Sequence, residues 1–280
     1  MIQSFLMLGQ SNMAGRGCLH EVDPIYNEKI NMLRNGQWQM MTEPINYDRP
    51  VSGVSLAASF AEAWSNAHPD EEIGLIPCAE GGSSLDDWHP EGILFQHALS
   101  EARFALRSSD ICGILWHQGE SDSHSSLHET YHEKLTVIMQ TLRDELKLDN
   151  VPWIIGGLGD FLGKTGFGQH ATEYQQINEQ LQRFAQEQQH CYFVTAEGLT
   201  ANPDGIHIDA ASQRIFGYRY FQAFSQKSHI MQPIAGEEQS LNVKRAYSQK
   251  EQIYIHSLEL ASHTITYAQF EALMAKVMQP

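Results

Sequence analysis

Short, uninterrupted apolar runs alternate along the chain with longer segments in which apolar residues recur every three or four positions. The runs occupy residues 2–8, 73–78, 111–116, 151–158 and 190–195. Helix-period segments follow each in turn, at 55–68, 94–106, 127–146, 169–188 and 210–224. A strand that is apolar on both faces must be covered on both faces, which is the condition of a parallel sheet between helical layers. The pattern predicts an α/β fold with a five-stranded parallel sheet of the doubly wound type, filling residues 1–229.

Two stretches break the alternation. Residues 18–54 carry scattered Gly, Pro, Asn and Tyr and read as a long excursion off the end of the first strand, the kind of loop that commonly forms a wall or lid. Residues 230–280 form a C-terminal extension with no flexible linker before it, expected to pack on the same domain. Its pattern predicts short strands at 241–247 and 252–258, then a helix over Tyr267–Val277.

Charge narrows the partners. Eighteen Lys and Arg against thirty-four Asp and Glu leave a formal net charge of −16. Such a surface repels nucleic acid phosphates and anionic lipid, and no apolar run approaches the ~20 residues that cross a bilayer. Neither nucleic acid nor membrane is expected as a partner; a small, weakly charged molecule is. Cys18, Cys78, Cys112 and Cys191 show no paired spacing and read as free thiols in a reducing compartment. The N-terminus resembles a strand more than a signal peptide, so a cytoplasmic location is expected.

In an open parallel sheet, ligands bind beyond the carboxyl ends of the strands. Four polar, glycine-containing segments fall there: GQSNMAG from Gly9, AEGGSSLDDW from Ala79, HQGESD from His117, and DGIH from Asp204. Together they suit acyl transfer. Ser11 follows the first strand in a tight turn, and a serine alcohol needs a neutral imidazole to take its proton. His207 supplies one, and Asp204 three residues earlier can hold its tautomer. The N–H groups of Ser11 and of Gly81 or Gly82, with the Gln118 side-chain amide, are candidate donors to an oxyanion. Gln10 and Asn12 are supporting residues. Glu120 either braces its loop or replaces Asp204 as the acid partner of His207. The scheme requires no cofactor and no metal.

These blocks, in this order, resemble those of the SGNH/GDSL-type hydrolases, and more narrowly the sialate O-acetylesterase-like group that includes the family 6 carbohydrate acetyl esterases. The matching segments run from Gly9 to Asp209. The resemblance implies a flavodoxin-like three-layer α/β/α fold and a serine esterase that removes acetyl groups from sugar hydroxyls. It casts Ser11 as nucleophile, Asp204 and His207 as its triad partners, and Gln118 as an oxyanion donor. Acetylated xylo-oligosaccharides and O-acetylated sialic acids both fit as substrates; the carboxylate of the latter would need a local arginine such as Arg16 or Arg49. Residues beyond about 230 lie outside the resemblance.

Two other readings compete. His128, Glu129 and His132 form an HExxH on a predicted helix, the zinc peptidase pattern, although no third ligand is announced downstream. A non-catalytic sugar-binding protein on the same fold would use exposed aromatics, with Trp38, Trp88 and Trp116 as candidates.

Overall fold

The computed structural model describes residues 1–240 and 245–279. In chain order its elements are β1 Ile2–Gly9, α1 Ser11–Ala14, β2 Ile30–Arg34, β3 Gln37–Met40, α2 Leu56–Ala67, β4 Ile73–Pro77, α3 Ile93–Ala105, β5 Ser109–His117, α4 His128–Leu146, β6 Trp153–Gly156, α5 Tyr174–Glu187, β7 Cys191–Val194, α6 Ala210–Gln226, α7 Glu237–Ser240, α8 Gln249–Ala261 and α9 Tyr267–Val277.

The sheet runs β3-β2-β4-β1-β5-β6-β7. Every neighbouring pair is parallel except β2 with β3. Side chains of β1 alternate between two cores. Leu6 and Leu8 pack with Phe95, Trp116, Leu135 and Phe184 under α3, α4 and α5. Phe5 and Met7 pack with Phe60, Trp64, Phe216 and Tyr220 under α2 and α6. The three-layer α/β/α architecture follows from this two-sided burial.

The sheet has seven strands, not the expected five, and both additions lie inside the 18–54 excursion. Ile30, Asn31 and Met32 pair with Ile73, Gly74 and Leu75 of β4, and β3 then turns back on β2. The turn is Asn35-Gly36, at φ +53° and +71°, the geometry of a two-residue hairpin.

The C-terminal extension also differs from expectation. Residues 252–258 belong to α8 and are not a strand. Ser248 caps that helix, with Glu251 completing a capping box. The local box outweighs the strand preference of Ile253, Tyr254 and Ile255. Residues 241–244 of the other expected strand lie outside the described residues, and 245–247 are irregular. The helix expected over Tyr267–Val277 is present as α9. Tyr254 donates to the Met40 carbonyl at 3.1 Å and the buried Glu251 accepts from the Glu28 N–H at 2.8 Å. These bonds seat α8 beside the β2–β3 hairpin, away from the carboxyl ends of the central strands.

Candidate active site

The register of the central strands sets the site. Gly9 of β1 pairs with His117 of β5, so the segments after them leave the sheet side by side. Gly9 has φ +129°, and a Cβ there would fall 2.0 Å from the His117 carbonyl oxygen. Only glycine lets the two strands approach so closely at this point. Gln10 then caps α1, and Ser11 is its first residue, 5% exposed.

The Ser11 Oγ lies 3.1 Å from His207 Nε2, and His207 Nδ1 lies 2.7 Å from Asp204 Oδ2. The other Asp204 oxygen accepts the N–H groups of Ile206 and His207, each at 3.0 Å. Partial burial pushes the Asp204 carboxyl up, but the two backbone donors and the imidazole outweigh it and hold it below the usual carboxylate range. An ionised carboxylate only accepts, so Nδ1 carries the hydrogen and Nε2 presents its lone pair to the Ser11 hydroxyl. Residues 196 positions apart are thus joined in one hydrogen-bonded chain.

Asn12 fixes the histidine loop. Its side-chain oxygen accepts the Ile208 N–H at 2.9 Å and its amide donates to the Ile206 carbonyl at 3.1 Å, so the peptides on both sides of His207 are clamped. The same amide donates to Glu120 Oε1 at 2.5 Å, which also accepts from His117 Nε2 at 3.0 Å. Burial pushes the Glu120 carboxyl up; the neighbouring His117 and the bonds it receives outweigh that and leave it low. Glu120 therefore supports Asn12, and it is Asp204 that meets His207. Gln10 has a parallel role: its Oε1 accepts from the Gly119 and Ser121 N–H groups and from Gln118, each at 3.2 Å.

The candidate oxyanion donors separate into two groups. The Gly81 N–H donates to Asp48 Oδ2 at 2.8 Å, and Asp48 is gripped by both Arg16 guanidinium nitrogens, at 3.0 and 2.6 Å. The Gln118 amide donates to Asp122 Oδ2 at 2.6 Å, to the Ser83 carbonyl at 3.1 Å and to Gln10 at 3.2 Å. Its two hydrogens already serve three buried acceptors, and the side chain is fully buried. By contrast, neither the Ser11 nor the Gly82 N–H meets an acceptor among the described residues. Gly82 is at φ +82° with open space where a Cβ would be.

Residues absent from the expected set also shape the site. Tyr131, on α4, lies with its Oη 2.8 Å from the Gln118 carbonyl and 3.0 Å from its Oε1. That tyrosine sits inside the HExxH, and it is the residue of that motif turned inward. His128 pairs with Glu173 at 3.0 Å and His132 with Glu187 at 2.9 Å. The two histidines thus face different glutamates, and no group of three potential ligands is gathered among the described residues. The zinc reading loses its site. Trp88 and Trp116 are buried in the core, and Trp38 is half-buried on the edge strand with its Nε1 donating to Ser108. None of the three is a free sugar platform. Arg16 is committed to Asp48, leaving Arg49, which lies 2.5 Å from Glu80, as the partly exposed arginine at the rim.

The doubly wound sheet thus places Ser11 at the end of its first strand and brings Asp204 and His207 beside it from the loop before α6. The chain belongs to the carbohydrate esterase, sialic acid-specific acetylesterase family, which it matches over residues 1–226. It is 27% identical over 248 residues to the probable carbohydrate esterase At4g34215 of Arabidopsis thaliana, covering 79% of this chain and 90% of that protein. The solved structure of that plant protein superimposes with a TM-score of 0.73 at 26% identity, over 80% of this chain and 98% of that one. The structure of NanS shares the fold, with a TM-score of 0.67 at 19% identity over 81% and 97% of the two chains. The protein is a carboxylic ester hydrolase of the carbohydrate esterase class.

Proposed function

We propose that the protein removes O-acetyl groups from carbohydrate hydroxyls with Ser11 as nucleophile, His207 as general base and Asp204 as its orienting partner. The observation that carries this reading is the continuous chain from Ser11 Oγ to His207 Nε2, 3.1 Å, and from His207 Nδ1 to Asp204 Oδ2, 2.7 Å. As Ser11 Oγ attacks the acetyl carbonyl, its proton passes to His207 Nε2. The oxygen of the tetrahedral intermediate accepts from the Ser11 and Gly82 N–H groups. Gln118 keeps the two loops that present these donors in register. Collapse of the intermediate releases the sugar alcohol with the proton returned by His207, leaving acetyl-Ser11. Water then enters with His207 again as base, and acetate and free Ser11 result.

Acetylated neutral sugars suit the acidic surface better than a sugar acid, since Arg49 is already neutralised by Glu80. Four unpaired thiols suit a reducing compartment, so short oligosaccharides in the cytoplasm are the favoured substrates. The decisive test is turnover of p-nitrophenyl acetate and an acetylated xylo-oligosaccharide by wild type and Ser11→Ala. Loss of about 1,000-fold or more in kcat on both substrates is expected. A variant as active as wild type would remove Ser11 from the chemistry.

A further inference from the structure

Two large rings stand in solvent, one on a loop bonded to the turn that carries Asp204 and the other on a loop bonded to the turn at Ala79–Gly81. Phe167 is 77% exposed and Tyr47 68% exposed. Single exposed apolar residues need no explanation, but the placement of these two is specific.

The Phe167 N–H donates to the Asp204 carbonyl at 2.7 Å. A Cβ on Gly166 would fall 2.1 Å from that same oxygen, and one on Gly168 1.9 Å from the Gly205 carbonyl. The loop is therefore pressed backbone to backbone onto the turn that carries Asp204, with residues 163–167 exposed between the buried Leu162 and Gly168. On the other rim, Asn46 exchanges two hydrogen bonds with Ala79, at 3.0 and 2.9 Å, and Asp48 takes the Gly81 N–H at 2.8 Å. Tyr47 sits between these two inward-turned side chains with its own ring in water. One aromatic thus flanks the acid–histidine turn, and the other flanks the turn that presents the Gly82 N–H.

We infer that Phe167 and Tyr47 are opposite walls of a carbohydrate subsite, stacking on the apolar C–H faces of the ring that bears the acetyl ester. The inference rests on the reading of Ser11 as nucleophile. A pyranose has polar edges and apolar faces, and a neutral one feels little pull from a protein of net charge −16. Its affinity must come from contact, and rigid aromatic rings supply contact area at low entropic cost. The tryptophans that composition first offered for this role lie in the core or on the sheet edge, which leaves the two rim rings to do it.

The test compares acetylated methyl xyloside with vinyl acetate, which presents the same acetyl group without a ring. Phe167→Ala and Tyr47→Ala are each expected to lower the ratio of the two kcat/KM values about tenfold, through KM for the sugar, and Phe167→Trp to keep it near wild type. Calorimetry in a Ser11→Ala background, where the ester stays intact, should show the same weakening of Kd. If either alanine variant keeps both the ratio and the Kd within about twofold of its parent, the two-walled subsite is overturned. If wild type hydrolyses neither ester yet sugar binding still depends on both rings, the role of Ser11 falls and the subsite stands.

Discussion

Asn12 holds the site together through four polar contacts, all of them to residues more than a hundred positions away. Its partner Glu120 is buried, with Oε1 shared between Asn12 and His117 and Oε2 meeting no partner among the described residues. Glu120→Ala strands two buried donors, which is expected to lower stability by about 2–4 kcal/mol. It also loosens the clamp on His207, so kcat should fall roughly 10- to 100-fold with KM much less affected. Glu120→Gln keeps an acceptor in place and separates charge from shape. The Glu120 carboxyl is held below its ordinary value, so the stability it contributes is present above the unfolded carboxylate pKa and is lost as pH falls through the folded one. The Tm difference between wild type and Glu120→Gln should therefore narrow as the pH is taken below about 4. A difference that stays constant from neutral pH to acid would show that the charge of Glu120 contributes nothing.

At the scale of elements, Gly156 marks where helix, sheet and site are packed most tightly. A Cβ there would fall 2.1 Å from Tyr220 Oη and 2.7 Å from His117 Nδ1, and Tyr220 fastens α6 to β5 by donating to the Trp116 carbonyl at 2.8 Å. Gly156→Ala should lower stability by about 1–3 kcal/mol, and removing the hydroxyl in Gly156→Ala/Tyr220→Phe should restore part of it. Thermal unfolding of the single and double variants checks this; a double variant less stable than the sum of its singles would place the strain elsewhere. The same packing explains what could be read in the sequence. The five buried strands were legible because burial on both faces forces an unbroken apolar run. β2 and β3 were not, since the strands of this short edge hairpin mix Asn, Arg and Gln among their apolar residues and so make no unbroken apolar run, although Asn35-Gly36 announced its turn. The Ser11, His207 and Asp204 positions were legible from their places at strand ends. Which oxyanion donors remain free was not, because that depends on Asp48, which arrives from another loop to claim the Gly81 N–H, and on how Asp122 folds back onto the Gln118 side-chain amide within its own loop.

At the scale of the molecule, the chain divides into a body that builds the site and a hairpin that does not. Ser11 through His207 come from elements ending at α6, and the family match also ends at residue 226. Helix α8 is anchored to the body by Arg245, whose guanidinium bridges Glu251 at 2.7 and 2.6 Å and the Tyr26 carbonyl at 2.7 Å. Helix α9 packs chiefly on α8 and buries none of its residues. An element with so little burial opens at low free energy, so its amides should exchange with solvent before those of β1 and β5. Removing residues 266–280 should accordingly leave kcat/KM within about twofold of wild type and shift Tm by only a few degrees, ~1 kcal/mol in a chain of this size. The opposite outcome, a truncated protein that folds with the same Tm but loses turnover, would mean that α9 reaches the substrate from a position this structure does not contain.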